Sequence, residues 1–215
     1  LIANVVSVAS DEIANKVVEE VGKTSIDDKQ SLSAKVLKSL VEKNPEKIEN
    51  LNEDNQKTIV SQTIEAAKNQ AEGNIEDEDD LSNTVAEIIT KSNVSTASKV
   101  LETLDEAVQE TESKLSLNIV SNLTKQENYE EKIEILSVTS TIVEQNITNI
   151  VDKAVDVAST EDDLNKVTEI VENSKGTLAN KTIDSANKSE ENKKKITDII
   201  VKIIEKNPEK AVEII

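Results

Sequence analysis

Carboxylates are the most numerous reactive side chains in this sequence, and they crowd most densely at Glu76-Asp77-Glu78-Asp79-Asp80. Hard cations such as calcium are held by carboxylate oxygens, so this run is a candidate calcium site. It lacks the Asp-x-Asp-x-Asp-Gly spacing of a calcium-binding loop, and its counterpart further along, Ser159-Thr160-Glu161-Asp162-Asp163, is less acidic. Both runs stand directly ahead of apolar, helix-spaced segments, where the partial positive charge of a helix N-terminus favours acidic residues. The expectation is helix capping, with no bound metal and no cofactor. A second cluster, Lys193-Lys194-Lys195, offers a small basic patch that the exposed first turn of a helix also explains. Asn-x-Ser/Thr triplets begin at Asn93, Asn122, Asn146, Asn180 and Asn187. They suit N-glycosylation in a secretory pathway, and a chain so rich in Asn, Ser and Thr also produces them by chance.

Absent residue types narrow the chemistry further. The 215 residues contain no His, Cys, Met, Trp or Phe, all 25 basic residues are Lys, and the one aromatic is Tyr129. Without imidazole or thiolate the usual general base, the usual nucleophile and the Cys/His zinc sites are lost. Ser, Lys and carboxylates remain, so catalysis is chemically conceivable but not expected. A net charge of −18 and the lack of Arg argue against a nucleic-acid partner, because phosphate recognition needs clustered positive charge. No apolar run approaches the length of a membrane span, so membrane insertion is not expected. Tyr129 is expected to stand where Pro45 and Pro208 stand in related segments, at a first helical turn.

These side chains sit on segments of helical period. Val36, Leu37, Leu40 and Val41 form one stripe of a 3.6-residue helix, as do Val85, Ile88 and Ile89, and then Ile196, Ile199, Ile200, Ile203 and Ile204. Ser10-Asp11-Glu12, Asn44-Pro45-Glu46, Glu78-Asp79-Asp80, Thr160-Glu161-Asp162 and Asn207-Pro208-Glu209 each offer a helix start, twice with Pro at the first helical position. Gly occurs only at 22, 73 and 176, between the periodic segments. The predicted fold class is all-α, with no sheet.

The chain also matches itself. At a shift of about 83 residues, LSAKVLKSL (32–40) meets LSLNIVSNL (115–123), EKIENL (46–51) meets EKIEIL (131–136), and TIVSQTI (58–64) meets TIVEQNI (141–147). A third register follows from IANKVV (13–18), TASKVL (96–101) and LANKTI (178–183), and KNPEK occurs at both 43–47 and 206–210. This predicts about 2.6 tandem copies, bounded as 1–92, 93–175 and a truncated 176–215. Independent helical domains in series would give the same pattern. A right-handed or irregular α-solenoid is favoured because no Pro/Gly/Ser-rich linker separates the copies.

The function expected from this organisation is structural. The chain reads as a segment of a long acidic helical array that forms a rod, coat or fibre through end-to-end contacts with further copies of itself or of its own repeats. Apolar residues near the two ends, Ile2, Val5, Val6, Val212, Ile214 and Ile215, are the candidate assembly interface. The alternative is a non-enzymatic solenoid scaffold that receives a protein or peptide partner, although the aromatic, Met and Arg anchors usual in such surfaces are missing apart from Tyr129. Composition suggests an extracellular or cell-surface place, and the cytoplasm stays open as the other.

Overall fold

The structure, a computed structural model, describes residues 2–24, 31–75, 80–174, 176–188, 194–195, 197–198 and 201–202. Among the described residues the regular elements are all helices: α1 (Ile2–Val8), α2 (Asp11–Gly22), α3 (Leu32–Lys43), α4 (Glu46–Glu49), α5 (Glu53–Ala71), α6 (Leu81–Lys91), α7 (Val94–Gln109), α8 (Leu115–Leu123), α9 (Tyr129–Thr139), α10 (Thr141–Asp156), α11 (Glu161–Asn173) and α12 (Thr177–Ala186). They divide into two compact units, Leu1–Leu115 and Ser116–Ile215.

In the first unit each long helix begins at a short polar side chain that accepts a backbone N–H the helix itself cannot satisfy. Ser31 accepts from Ala34 N at 3.2 Å, Asn52 from Asn55 N at 2.8 Å, Asp80 from Asn83 N at 3.1 Å and Asn93 from Thr96 N at 2.8 Å. Helix α3 is the centre of this unit, and α1, α2, α4, α5 and α6 all pack on it. Its Val36, Leu37 and Leu40 are fully buried. Each such side chain contributes about 1.5–3 kcal/mol by leaving water. Val85 and Ile89 of α6 and Leu104 of α7 extend the same core.

Polar side chains fix how α2, α3 and α5 meet. Gln62 on α5 donates to Gly22 O at 2.7 Å and accepts from the Ser33 hydroxyl, so one amide ties the end of α2 to the start of α3. Gly22 allows that approach, since a Cβ there would lie 2.7 Å from the Thr58 methyl. At the far end of α5, Gly73 takes a left-handed φ of 75°, with Gly73 N donating to Gln70 O at 3.0 Å and Asn74 N to Asn69 O at 2.8 Å. That pair of bonds is a Schellman cap, which needs a residue free of the Cβ penalty at its turn.

The second unit is built from the same materials. Leu117, Ile119, Leu136, Ile150, Val167 and Ile170 are buried, α9 and α12 each pack on α10, and α11 packs on α12. Thr160 and Asp163 form a reciprocal capping box at the start of α11, with Asp163 N donating to Thr160 Oγ1 at 3.2 Å and Thr160 N to Asp163 Oδ2 at 3.0 Å. The short α4 and the eleven-residue α9 differ for a local reason. Asn50 and Asn52 follow the EKIE of α4, and Asn52 turns away from the helix to cap α5; Ile135 and Ser137 stand in those places after the EKIE of α9, and the helix runs on to Thr139.

Candidate assembly surface

The sequence-predicted interface residues take different places. Ile2 and Val5 on α1 are 42 % and 45 % exposed, whereas Val6, on the same helix, is fully buried. Val212, Ile214 and Ile215 lie outside the described residues. Beside Ile2 the apolar surface continues onto α2 through Ile13, Val17 and Val21 and reaches Leu32 at the start of α3. This groove is almost wholly hydrocarbon, with Lys16 and Glu20 at its rim. The second unit exposes Ile135 and Val138 on α9 and Ile142 on α10.

Lysines make the junctions between helices. In KNPEK, Lys43 Nζ donates to Asn4 Oδ1, Asn44 Nδ2 to Ser7 O at 3.5 Å, and the buried Lys47 Nζ to Ala9 O, with Asp11 Oδ1 a further 3.5 Å contact. The motif thus grips the end of α1, where carbonyls have no helical partner and carry partial negative charge. Lys195 does the same at the end of α10, donating to Val155 O at 3.4 Å and Asp156 O at 3.2 Å. Lys38 of α3 and Lys91 of α6 each lie 3.5 Å from Glu87 Oε2, and Asn83 donates to the other Glu87 oxygen at 3.0 Å.

Tyr129 does more than the sequence reading assigns to it. As the first residue of α9 it is buried, and its hydroxyl donates to Asn173 O at 2.8 Å while lying 3.1 Å from Glu130 Oε1. Burial pushes the phenol above its ordinary value, opposed by a hydrogen bond with Ser174 and assisted by the Glu130 charge. Burial also pulls the Lys132 ammonium below its ordinary value. The solitary aromatic is a visible signal in the sequence, but its partner lies 44 positions away and only folding brings the two together.

The remaining candidates become structural parts. Asp80 caps α6, and Glu76 to Asp79 lie outside the described residues. Among the described residues no group of three carboxylates could hold a metal ion. Asn93 is spent as the cap of α7 and donates to Glu49 Oε1 at 2.6 Å, Asn146 is buried in α10 and Asn122 is half-buried in α8, which leaves Asn180 and Asn187 as the exposed triplet positions. No described helix is long and apolar enough to cross a membrane. Compared with known proteins, the chain gives no match: no family model fits it, and neither a curated protein nor a solved structure is similar to it.

Proposed function

We propose that the chain is a structural, non-enzymatic segment of an α-solenoid array, built from tandem copies of about 83 residues that associate with further copies of the same repeat. The observation that carries this reading is the recurrence of elements. α2, α7 and α12 start at residues 11, 94 and 177; α3 and α8 start at 32 and 115; α4 and α9 start at 46 and 129. Packing recurs as well, since α7 lies on α5 and α6 within the first unit and α12 lies on α10 and α11 within the second. A helix that packs on elements of the preceding copy is the arrangement by which repeats bury apolar surface they cannot bury alone. The extracellular or cell-surface setting suggested by composition belongs to the same proposal.

The test is a chain that carries residues 93–175 twice in succession. In a stacked array stability grows with copy number, so the longer chain should melt in one transition at a higher midpoint. Two separate transitions, or an unchanged midpoint, would return the chain to independent domains in series. Sedimentation at rising concentration addresses the end-to-end contact: concentration-dependent association, reduced by Ile214→Lys with Ile215→Lys, is the expected result. A strict monomer would remove assembly from the proposal and favour the scaffold.

A further inference from the structure

Three helices hold the same place in the internal sequence match: α2, α7 and α12, aligned through Ala14, Ala97 and Ala179 and through Lys16, Lys99 and Lys181. Two of them have another helix laid along one flank. On α7 that helix is α5, whose Glu53, Gln56, Lys57 and Val60 are spaced as a single stripe, and Lys99 Nζ donates to Gln56 Oε1. On α12 it is α10, where Lys181 Nζ donates to Thr148 Oγ1 at 2.7 Å and lies 3.7 Å from Glu144 Oε1. The positions three before and one after the lysine are covered in both: Thr96 (4 % exposed) and Val100 on α7, Leu178 (3 %) and Thr182 on α12.

On α2 the same stripe is open. Ile13 is 50 % exposed, Val17 is only half-buried, and Lys16 turns back to its own Glu12 at 2.8 Å on the surface. The helix before it agrees. Ile2 and Val5 are open on α1, while Val85 and Ile88, which align with them on α6, are buried, as are Val167 and Ile170 on α11, matched through EDDLSNTVAEI (78–88) and EDDLNKVTEI (161–170) with one residue deleted.

We infer that the apolar face of α1 and α2, floored by Val21 and Leu32, is the seat of an α5-type helix from a further copy of this repeat. The inference rests on the array reading above and names its first interface. The two helices already seated in this way define the occupant: a helix carrying Thr-Ile-Val-x-Gln-x-Ile, as α5 and α10 both do, with an oxygen acceptor placed for Lys16. Ile13 and Val17 are apolar where α12 already tolerates Thr182, so the face is fitted for cover rather than for solvent.

The experiment supplies the occupant in the register the alignment sets, by joining a second copy of residues 53–83 directly ahead of Leu1, so that Ile2 follows as Val85 follows in the first copy. Supplying it within the chain removes the cost of recruiting a short free helix. Amide exchange along α2 should slow by about tenfold or more relative to the original chain. Ile13→Lys in the extended chain, at a position exposed in the original, should abolish the slowing, as should Val60→Lys in the added segment alone. Slowing that survives both changes, or no slowing, would overturn the inference. Association of the unextended chain that Ile13→Lys abolishes would be the same seat filled from a second molecule, and supports the inference. Failure here with a single, raised transition in the chain that repeats 93–175 would leave the array standing and remove only this seat.

Discussion

Tyr129 is the one side chain whose ionisation the near-ultraviolet absorbance of this protein can report, because no other aromatic is present. Burial raises its phenol above the ordinary 10.0, so the folded state holds the proton over a window in which the unfolded state has released it. Tyr129 therefore contributes its full stability below about pH 10 and loses it as pH rises through the folded value. Lys132 has the opposite slope, since burial disfavours its charged form and that cost fades as the ammonium deprotonates. The difference between wild type and Tyr129→Phe isolates the phenol. Titration of the folded chain should give a tyrosinate midpoint above 10, and Tyr129→Phe should lose about 1 kcal/mol at neutral pH by leaving Asn173 O without its donor. A midpoint at the ordinary value would mean that the ring is solvated.

Helix identity was readable in the sequence at the level of elements, and helix ends were readable only in part. Ser10 and Thr160 cap α2 and α11 as the acidic first turns suggest, with Ser10 accepting from Ile13 N at 3.4 Å. Ser31 caps α3 without any such signal, because Ser is so frequent here that one more does not stand out, whereas Asn52 caps α5 ahead of an acidic Glu53-Asp54 turn that the sequence reading passed over. The open face of α1 and α2 was hidden for a different reason. IANKVV reads as a marker of register, and whether Ile13 is covered depends on a neighbour that periodicity does not show. Gly73 was placed correctly between periodic segments, and its left-handed φ supplies the cause. Gly73→Ala leaves open space around the new Cβ but strains the backbone, so the chain should lose about 1 kcal/mol in denaturant unfolding. A neutral result would show that the end of α5 relaxes into another cap.

At the scale of the whole molecule, charge dominates. A chain of net −18 repels itself, because 43 carboxylates outnumber 25 lysines and pairs such as Lys38 with Glu87 cannot balance that excess. Raising salt from low ionic strength to about 0.15 M shortens the reach of that repulsion to about 8 Å, so the thermal midpoint should rise. A falling midpoint would mean that the ion pairs outweigh the repulsion. The recurrence of letters at a fixed shift was legible in the sequence; which helices pack on which was not, because that is decided by tertiary packing. The lysine junctions carry one more consequence. Lys47 at the end of α1 and Lys195 at the end of α10 both grip helix carbonyls through a primary amine, and no guanidinium shares the work anywhere in the sequence. An acyl group on such a nitrogen removes the charge and the extra donors together, so an acylating reagent should loosen the junction at the half-buried Lys195 first and reach the buried Lys47 only when the chain opens.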